Sequence, residues 1–341
     1  MASAAQRRIK SISYAKYGYM FIAPFFLVYC FFQVWPLIYT FILSFKGNQA
    51  ASANFVGFEN YSTILFGKGS AAGAMATHQE FAKALGNTLI LWFGNFIPQI
   101  LLSLLLAVWF TDAKVKLPGK GFFKIVMYMP NIITAASVAA LYVNLFGDSK
   151  YYFINATLMK MGMAEPIQFI ANEWNAKFMV MFIQTWLWFG NTMIMLMSGI
   201  MGINPSLFEA ADIDGANSGQ QFFKITLPLL QPIMVYTLVT SMIGGLQMFD
   251  IPYLFHNGAQ FNKQLETVAV YIYYNFNQGT VESANYGYAG AASIVIFIIT
   301  AILGSITFYM NRDKDAIAKK KQRKKAEKQY KAKMKQGGLT L

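Results

Sequence analysis

Charge is what this chain has least of. Of its 341 residues only 13% are charged, while 56% are hydrophobic and 16% aromatic. Soluble domains carry roughly 25% charged residues. The chain is long enough to bury a large core but lacks the charge to cover one, so composition places it in the membrane class. Cysteine is scarcer still. Cys30 is the single one, which excludes an internal disulfide framework and a cysteine-rich metal site. Lying in an apolar run, it reads as a small buried hydrophobe. The two histidines, His78 and His256, stand far apart in polar stretches and read as loop residues; no metal site is expected. A phosphate-binding loop is also missing. Gly67-Lys68 and Gly119-Lys120 lack both the upstream glycine and the following hydroxyl that G-x-x-x-x-G-K-[ST] requires. Paired carboxylates and nucleophilic triads are absent as well. The chain is therefore not expected to be an enzyme or to bind a cofactor of its own.

Basic residues are in excess, with a formal net charge of +13. Such a balance raises nucleic-acid binding in a soluble protein, but here the excess is confined to a tail. Residues 312–335 hold twelve Lys/Arg against Asp313, Asp315 and Glu327. The tail reads as a topology signal resting on anionic lipid, with a regulatory role open; a nucleic-acid partner is not expected.

Charges punctuate the rest. The charge-free intervals 17–45, 84–111, 125–147, 178–208, 225–249 and 283–311 are each at least 23 residues long. A bilayer core takes about 20 apolar residues in a helix. These runs lack the alternation of barrel strands, so the expectation is an all-α integral membrane protein with six transmembrane helices. The run Tyr17–Phe45 is too long for the apolar part of a cleaved signal peptide. Tyr14, Tyr17 and Tyr19 suit one membrane interface.

Orientation follows from the Lys/Arg distribution. Twenty-one fall on the side of the two termini and of the second-to-third and fourth-to-fifth connections; seven fall opposite. The positive-inside rule puts both termini in the cytoplasm. The expected organisation is a cytoplasmic N-terminus (1–16), a six-span domain (17–311) and a basic cytoplasmic tail (312–341).

One inside connection, 202–224, departs from the trend by being acidic, with Glu209, Asp212 and Asp214. From Asn204 to Pro232 it reads NPSLFEAADIDGANSGQQFFKITLPLLQP. Ser206 and Glu209 have the spacing of a capping box that would start a helix at Ser206. Ala210 and Ala211 keep one surface small. Gly215 can end the helix in the left-handed conformation. A second helix can start near Asn217 or Ser218 and run to Leu227, before Pro228 and Pro232 bend the entry into the fifth span. The expectation is a short helix–turn–helix; spacing alone leaves open an ordinary amphipathic interfacial loop.

Glu209-Ala210-Ala211, Asp214-Gly215-Ala216, Phe222, Ile225, Leu227-Pro228 and Pro232 resemble the EAA loop of ABC importer permeases. The resemblance implies that segment 204–228 carries a coupling helix, with Glu209, Ala210, Ala211, Asp214, Gly215 and Ala216 at the dock of a cytoplasmic ATPase. Members often have a bulky aromatic where Gly219 stands. Weaker likenesses in the same order extend over roughly residues 18–310: Pro36-Leu37-Ile38, Phe55 to Tyr61, Asn87-Thr88, Pro98-Gln99, Asp250 to Leu254 and Tyr271 to Tyr273. Together they are similar to the carbohydrate-uptake type, which includes maltose, multiple-sugar and glycerol-phosphate permeases, and to the first of its two paired permeases. This implies a type I ABC importer permease in a bacterial or archaeal inner membrane. Its partners would be a second, different permease, two ATPase subunits that hold ATP and Mg, and an extracytoplasmic solute-binding protein that delivers a sugar or oligosaccharide.

Polar groups at mid-membrane depth are costly unless used or paired. Gln184, Trp188 and Asn191 share one helix face at i, i+4 and i+7. Gln247 and Asp250 lie near the end of the fifth span. Amides bond sugar hydroxyls and an indole stacks on a sugar ring, so these five are the candidate substrate contacts. Helix packing is the competing explanation for each. An ion-driven secondary transporter would predict paired intramembrane charges and inverted repeats, which the sequence does not display. A membrane scaffold would not need a docking loop.

Overall fold

The computed structural model describes residues 15–47, 54–70, 73–112, 118–256, 262–277 and 285–310, with 322–324, 326 and 327 in the tail. The N-terminal segment to Tyr14, Lys114, Lys116 and nearly all of the basic tail lie outside the described residues.

Helices dominate. In chain order they are α1 (Lys16–Leu43), α2 (Glu59–Phe66), α3 (Ala74–Thr111), α4 (Lys120–Tyr128), α5 (Ala135–Phe146), α6 (Phe153–Lys160) and α7 (Glu173–Met201). There follow α8 (Ser206–Ile213), α9 (Ser218–Gln221), α10 (Gln231–Leu246), α11 (Asp250–Leu254), α12 (Val268–Phe276) and α13 (Tyr286–Met310). Among the described residues the extended pairing is a single bridge, Lys46 to Phe55.

Five stretches are long and apolar enough to cross a membrane: α1, α3, α7, the run Gln231–Leu254 and α13. The sixth expected interval, 125–147, is not one straight helix. α4 runs into a 3-10 turn, Met129–Ile132, and α5 then leaves at 94°. Pro130 lies in that turn, Ile133 and Thr134 are extended, and the Thr134 hydroxyl caps α5 by accepting from Ser137 N–H. Counted as one broken span, the pair completes six.

Two prolines are preceded by π turns. Trp35 N–H donates to Cys30 O just before Pro36, and Leu227 N–H donates to Phe222 O just before Pro228. A proline ring inside a helix clashes with the carbonyl four residues back, and a widened turn relieves that clash.

The chain forms two compact units, Met1–Gly86 with Thr267–Phe297, and Asn87–Glu266 with Ile298–Leu341. In the first, the end of α1 is fastened by side chains of α2. Asn60 donates to Ser44 O (2.9 Å) and Lys46 O (2.7 Å), and Tyr61 donates to Ser44 Oγ (2.7 Å). α13 approaches the same place so closely that a Cβ on Gly287 would sit 2.4 Å from Lys46 O. Asn60 is thus buried in its fold, as is Asn155 in the second unit.

The second unit has its core among α3, α5, α7 and α11, around Leu91, Val138, Tyr142, Ile183, Ile251 and Phe255. A second cluster joins Leu106, Phe110, Met193 and Leu196. Glycines allow the close crossings. A Cβ on Gly190 would lie 2.0 Å from Met127 O, and one on Gly245 2.1 Å from the Trp92 ring.

Three expectations are corrected. Cys30 is exposed rather than buried, because none of the apolar window of α1 is covered by this chain. His78 lies within α3, not in a loop, with Nδ1 2.9 Å from Ile64 O. The Ser206–Glu209 capping box does not form. Ser206 is already helical with Pro205 just before it, and its N–H donates to Asn204 Oδ1 (3.1 Å), so the side-chain bond at this helix end comes from Asn204.

Candidate functional site

The second unit encloses a cavity of about 670 Å³. Its walls come from the middle of α3, the α4–α5 break, α7, α10 and the start of α11. Irregular backbone at membrane depth is tolerated where it lines a cavity, and the break at Asn131–Ile133 does so.

Part of the polar lining holds the walls together. Gln99 of α3 donates to Thr192 Oγ of α7 (2.8 Å), both buried. Thr185 donates to Asn95 O (3.1 Å), and Ser103, just beyond the lining, donates to Phe189 O (2.8 Å). Asn131 donates to Leu187 O (3.3 Å), and Trp92 Nε1 to Ser241 Oγ (3.3 Å). Removing one partner of a buried pair leaves an orphaned group that costs about 1–3 kcal/mol, so these contacts fix the shape of the space.

Another part is uncommitted. Gln184, Trp188, Asn191, Gln247 and Asp250 all line this one cavity. None of their side chains bonds another described residue. Gln184 is nearly buried, while Trp188 is 48% exposed within the chain. Three amides, an indole face and a carboxylate thus converge on one space. That set can donate to and accept from hydroxyls while stacking on a flat apolar face. The remaining polar lining, Asn95, Gln99, Asn131, Thr192, Tyr236, Thr237, Thr240 and Ser241, was missed in the sequence. A signal was there for part of it: Asn95, Gln99 and Ser103 recur every four residues in an otherwise apolar run.

The 204–232 connection folds as the expected helix–turn–helix. α8 ends in a Schellman turn: Ala216 N–H bonds Ala211 O (2.9 Å), Gly215 N–H bonds Asp212 O (3.1 Å), and Gly215 takes φ +75°. α9 opens with the capping box that α8 lacks, Asn217 and Gln220 bonding each other's backbone N–H (2.9 and 2.8 Å). Glu209 and Ala210 face outward with Asp214 and Gly215, Ala216 is half-buried, and Ala211 is turned inward. Ile213 is 88% exposed, and Leu207 lies open on the same short helix. Three acids (Glu209, Asp212 and Asp214), small residues and two apolar side chains therefore lie together on an uncovered surface.

Comparison with known proteins agrees with this architecture. The family model described as "Binding-protein-dependent transport system inner membrane component" matches residues 69–314. The arabinooligosaccharides transport system permease protein AraP of Bacillus subtilis is 31% identical over 313 residues, covering 91% of this chain and 94% of that protein. The lactose transport system permease protein LacF of Rhizobium radiobacter is 28% identical, covering 92% and 100%. Among solved structures, a bacterial ABC transporter that imports the acidic polysaccharide alginate matches with a TM-score of 0.71 at 25% identity, over 90% of this chain and 98% of that one. An alginate transporter in complex with its pentasaccharide-bound periplasmic protein matches with a TM-score of 0.69 at 24% identity, over 86% and 93%.

Proposed function

The chain belongs to the family of binding-protein-dependent transport system inner membrane components, and from that premise we propose that it passes a sugar or oligosaccharide through the membrane part of an ATP-driven importer. It is a transport subunit, not an enzyme, with the fold of a type I ABC importer permease. The observation that carries the sugar reading is the cavity. Its tethered amides are spent on the walls, whereas Gln184, Asn191 and Gln247 are free toward the space beside Trp188. AraP and LacF, by their names, serve saccharides too.

The energy has to come from elsewhere, since the sequence has no phosphate loop. In this reading two ATPase subunits hold ATP and Mg and receive α8 in a cleft. Glu209 meets a basic group there, Ala210 and Ala216 permit close approach, and Asp214-Gly215 sets the turn. A second permease chain completes the path, a solute-binding protein delivers the sugar outside, and both termini face the cytoplasm.

The test is uptake of labelled saccharides into proteoliposomes holding the assembled complex, with its binding protein outside and ATP inside. Uptake is expected to need both. Trp188→Ala should lower it roughly five- to tenfold, the scale of one lost aromatic contact, without lowering complex yield. Uptake driven by an ion gradient without ATP, or a binding protein that takes only peptides or metals, would overturn the proposal.

A further inference from the structure

Gly219 has no side chain with which to wedge α8 against α9; a Cβ there would have Asn217 Oδ1 at 3.4 Å as its near neighbour. The turn between them, by itself, is two backbone hydrogen bonds and a glycine. Its pitch must be held by something else.

Gln221 fills that role geometrically. It lies two residues further along α9, is 9% exposed, and turns back across the turn. Its Nε2 donates to Asp212 Oδ1 on α8 (2.6 Å) and to Ala216 O in the turn (3.2 Å). Both protons of one amide are thus used, on two sides of the Gly215 bend. The bond to Asp212 has an ionised acceptor and is of the stronger kind. Asp212 is three residues after Glu209 in the same two-turn helix, so fixing Asp212 fixes the direction in which Glu209 and Ile213 are presented.

We propose that Gln221 is a positioning residue that clamps α8 at its working angle, so that motion of a docked partner is passed to α9 and α10 rather than absorbed at Gly215. This rests on the reading of α8 as the ATPase dock. A helix that still docks but pivots would let ATP be hydrolysed without moving the helices behind it.

Gln221→Leu keeps most of the buried volume and removes both donors. In the reconstituted complex, the ATP hydrolysed per sugar imported should rise severalfold while the ATPase still co-purifies. Amide exchange at Gly215 and Ala216 should quicken by about tenfold, the factor expected for one lost charge-assisted hydrogen bond. Asp212→Asn keeps the acceptor oxygen and should hold the ratio near the wild-type value. An unchanged ratio in Gln221→Leu, with or without a fall in yield, overturns the clamp. Glu209→Arg separates the two ideas. If it abolishes co-purification while Gln221→Leu leaves the ratio alone, docking stands and the clamp falls. If Glu209→Arg leaves association intact, the docking reading itself falls.

Discussion

At the scale of single residues, Gln99 and Gln184 are both amides in apolar helices but have different neighbours: Gln99 donates to Thr192 Oγ, while Gln184 faces the cavity. Glycines behave the same way. Gly190 and Gly86 both interrupt long helices, yet a Cβ at Gly190 meets the Met127 carbonyl, while one at Gly86 meets nothing within 4 Å. Gly190→Ala should destabilise the protein by about 1–3 kcal/mol, as an overpacked crossing does. Gly86→Ala should stabilise it by up to about 1 kcal/mol through helix propensity. Thermal unfolding in detergent would show both; a tolerated Gly190→Ala would mean that α4 can slide away from α7.

At the scale of elements, charge spacing located every span because lipid solvation depends on composition over about 20 residues. It could not find the break in the third span. Pro130 and Asn131 are compatible with a kinked helix as well as with a corner; what decides is the packing of Met127 and Asn131 on α7. The helix–turn–helix of 204–232 was legible, because turn chemistry is local: Gly215 stops α8 as expected. The capping box does not form because Ser206 is itself the first helical residue and its N–H is taken by Asn204 Oδ1 two positions upstream. Outside the spans, α2 carries a pH-dependent tie. Ser70 N–H (2.7 Å) and Ser70 Oγ–H both donate to Glu59, which holds its carboxyl below the ordinary 4.5. A depressed pKa gives ordering that is complete above the ordinary value and is lost as pH falls through the lowered one. The protection of the Ser70 amide, relative to its intrinsic exchange, should therefore drop in that acid range. In Glu59→Gln the acid-dependent part of that drop should disappear; its persistence would assign the effect to another group.

At the scale of the whole molecule, the long helices are covered unequally by their own chain. The apolar window of α1 has none of its residues buried, against half of the window in α7. Composition announced the membrane, but it could not tell lipid-facing from partner-facing surface, since both are apolar. Cys30 offers a probe already in place. In the isolated chain in nanodiscs, a nitroxide on Cys30 should be strongly relaxed by oxygen dissolved in the lipid. A protected signal would show α1 folded back on its own chain. Orientation and the free cavity amides belong to this scale too. The first was readable from the lysine and arginine bias as an expectation, while the second needed three-dimensional convergence of α7, α10 and α11.

The corner in the third span also bears on how the protein is made. Its two arms are short: nine residues of α4 with a four-residue turn, then the twelve of α5. Neither reaches the roughly 20 residues that a hydrocarbon core asks of a helix inserting alone. The bent form therefore depends on α7, where Gly190 gives Met127 its seat. A chain cut before α7 is expected to hold this segment less firmly in the bilayer than the whole chain does, which alkaline extraction of membranes carrying each would show.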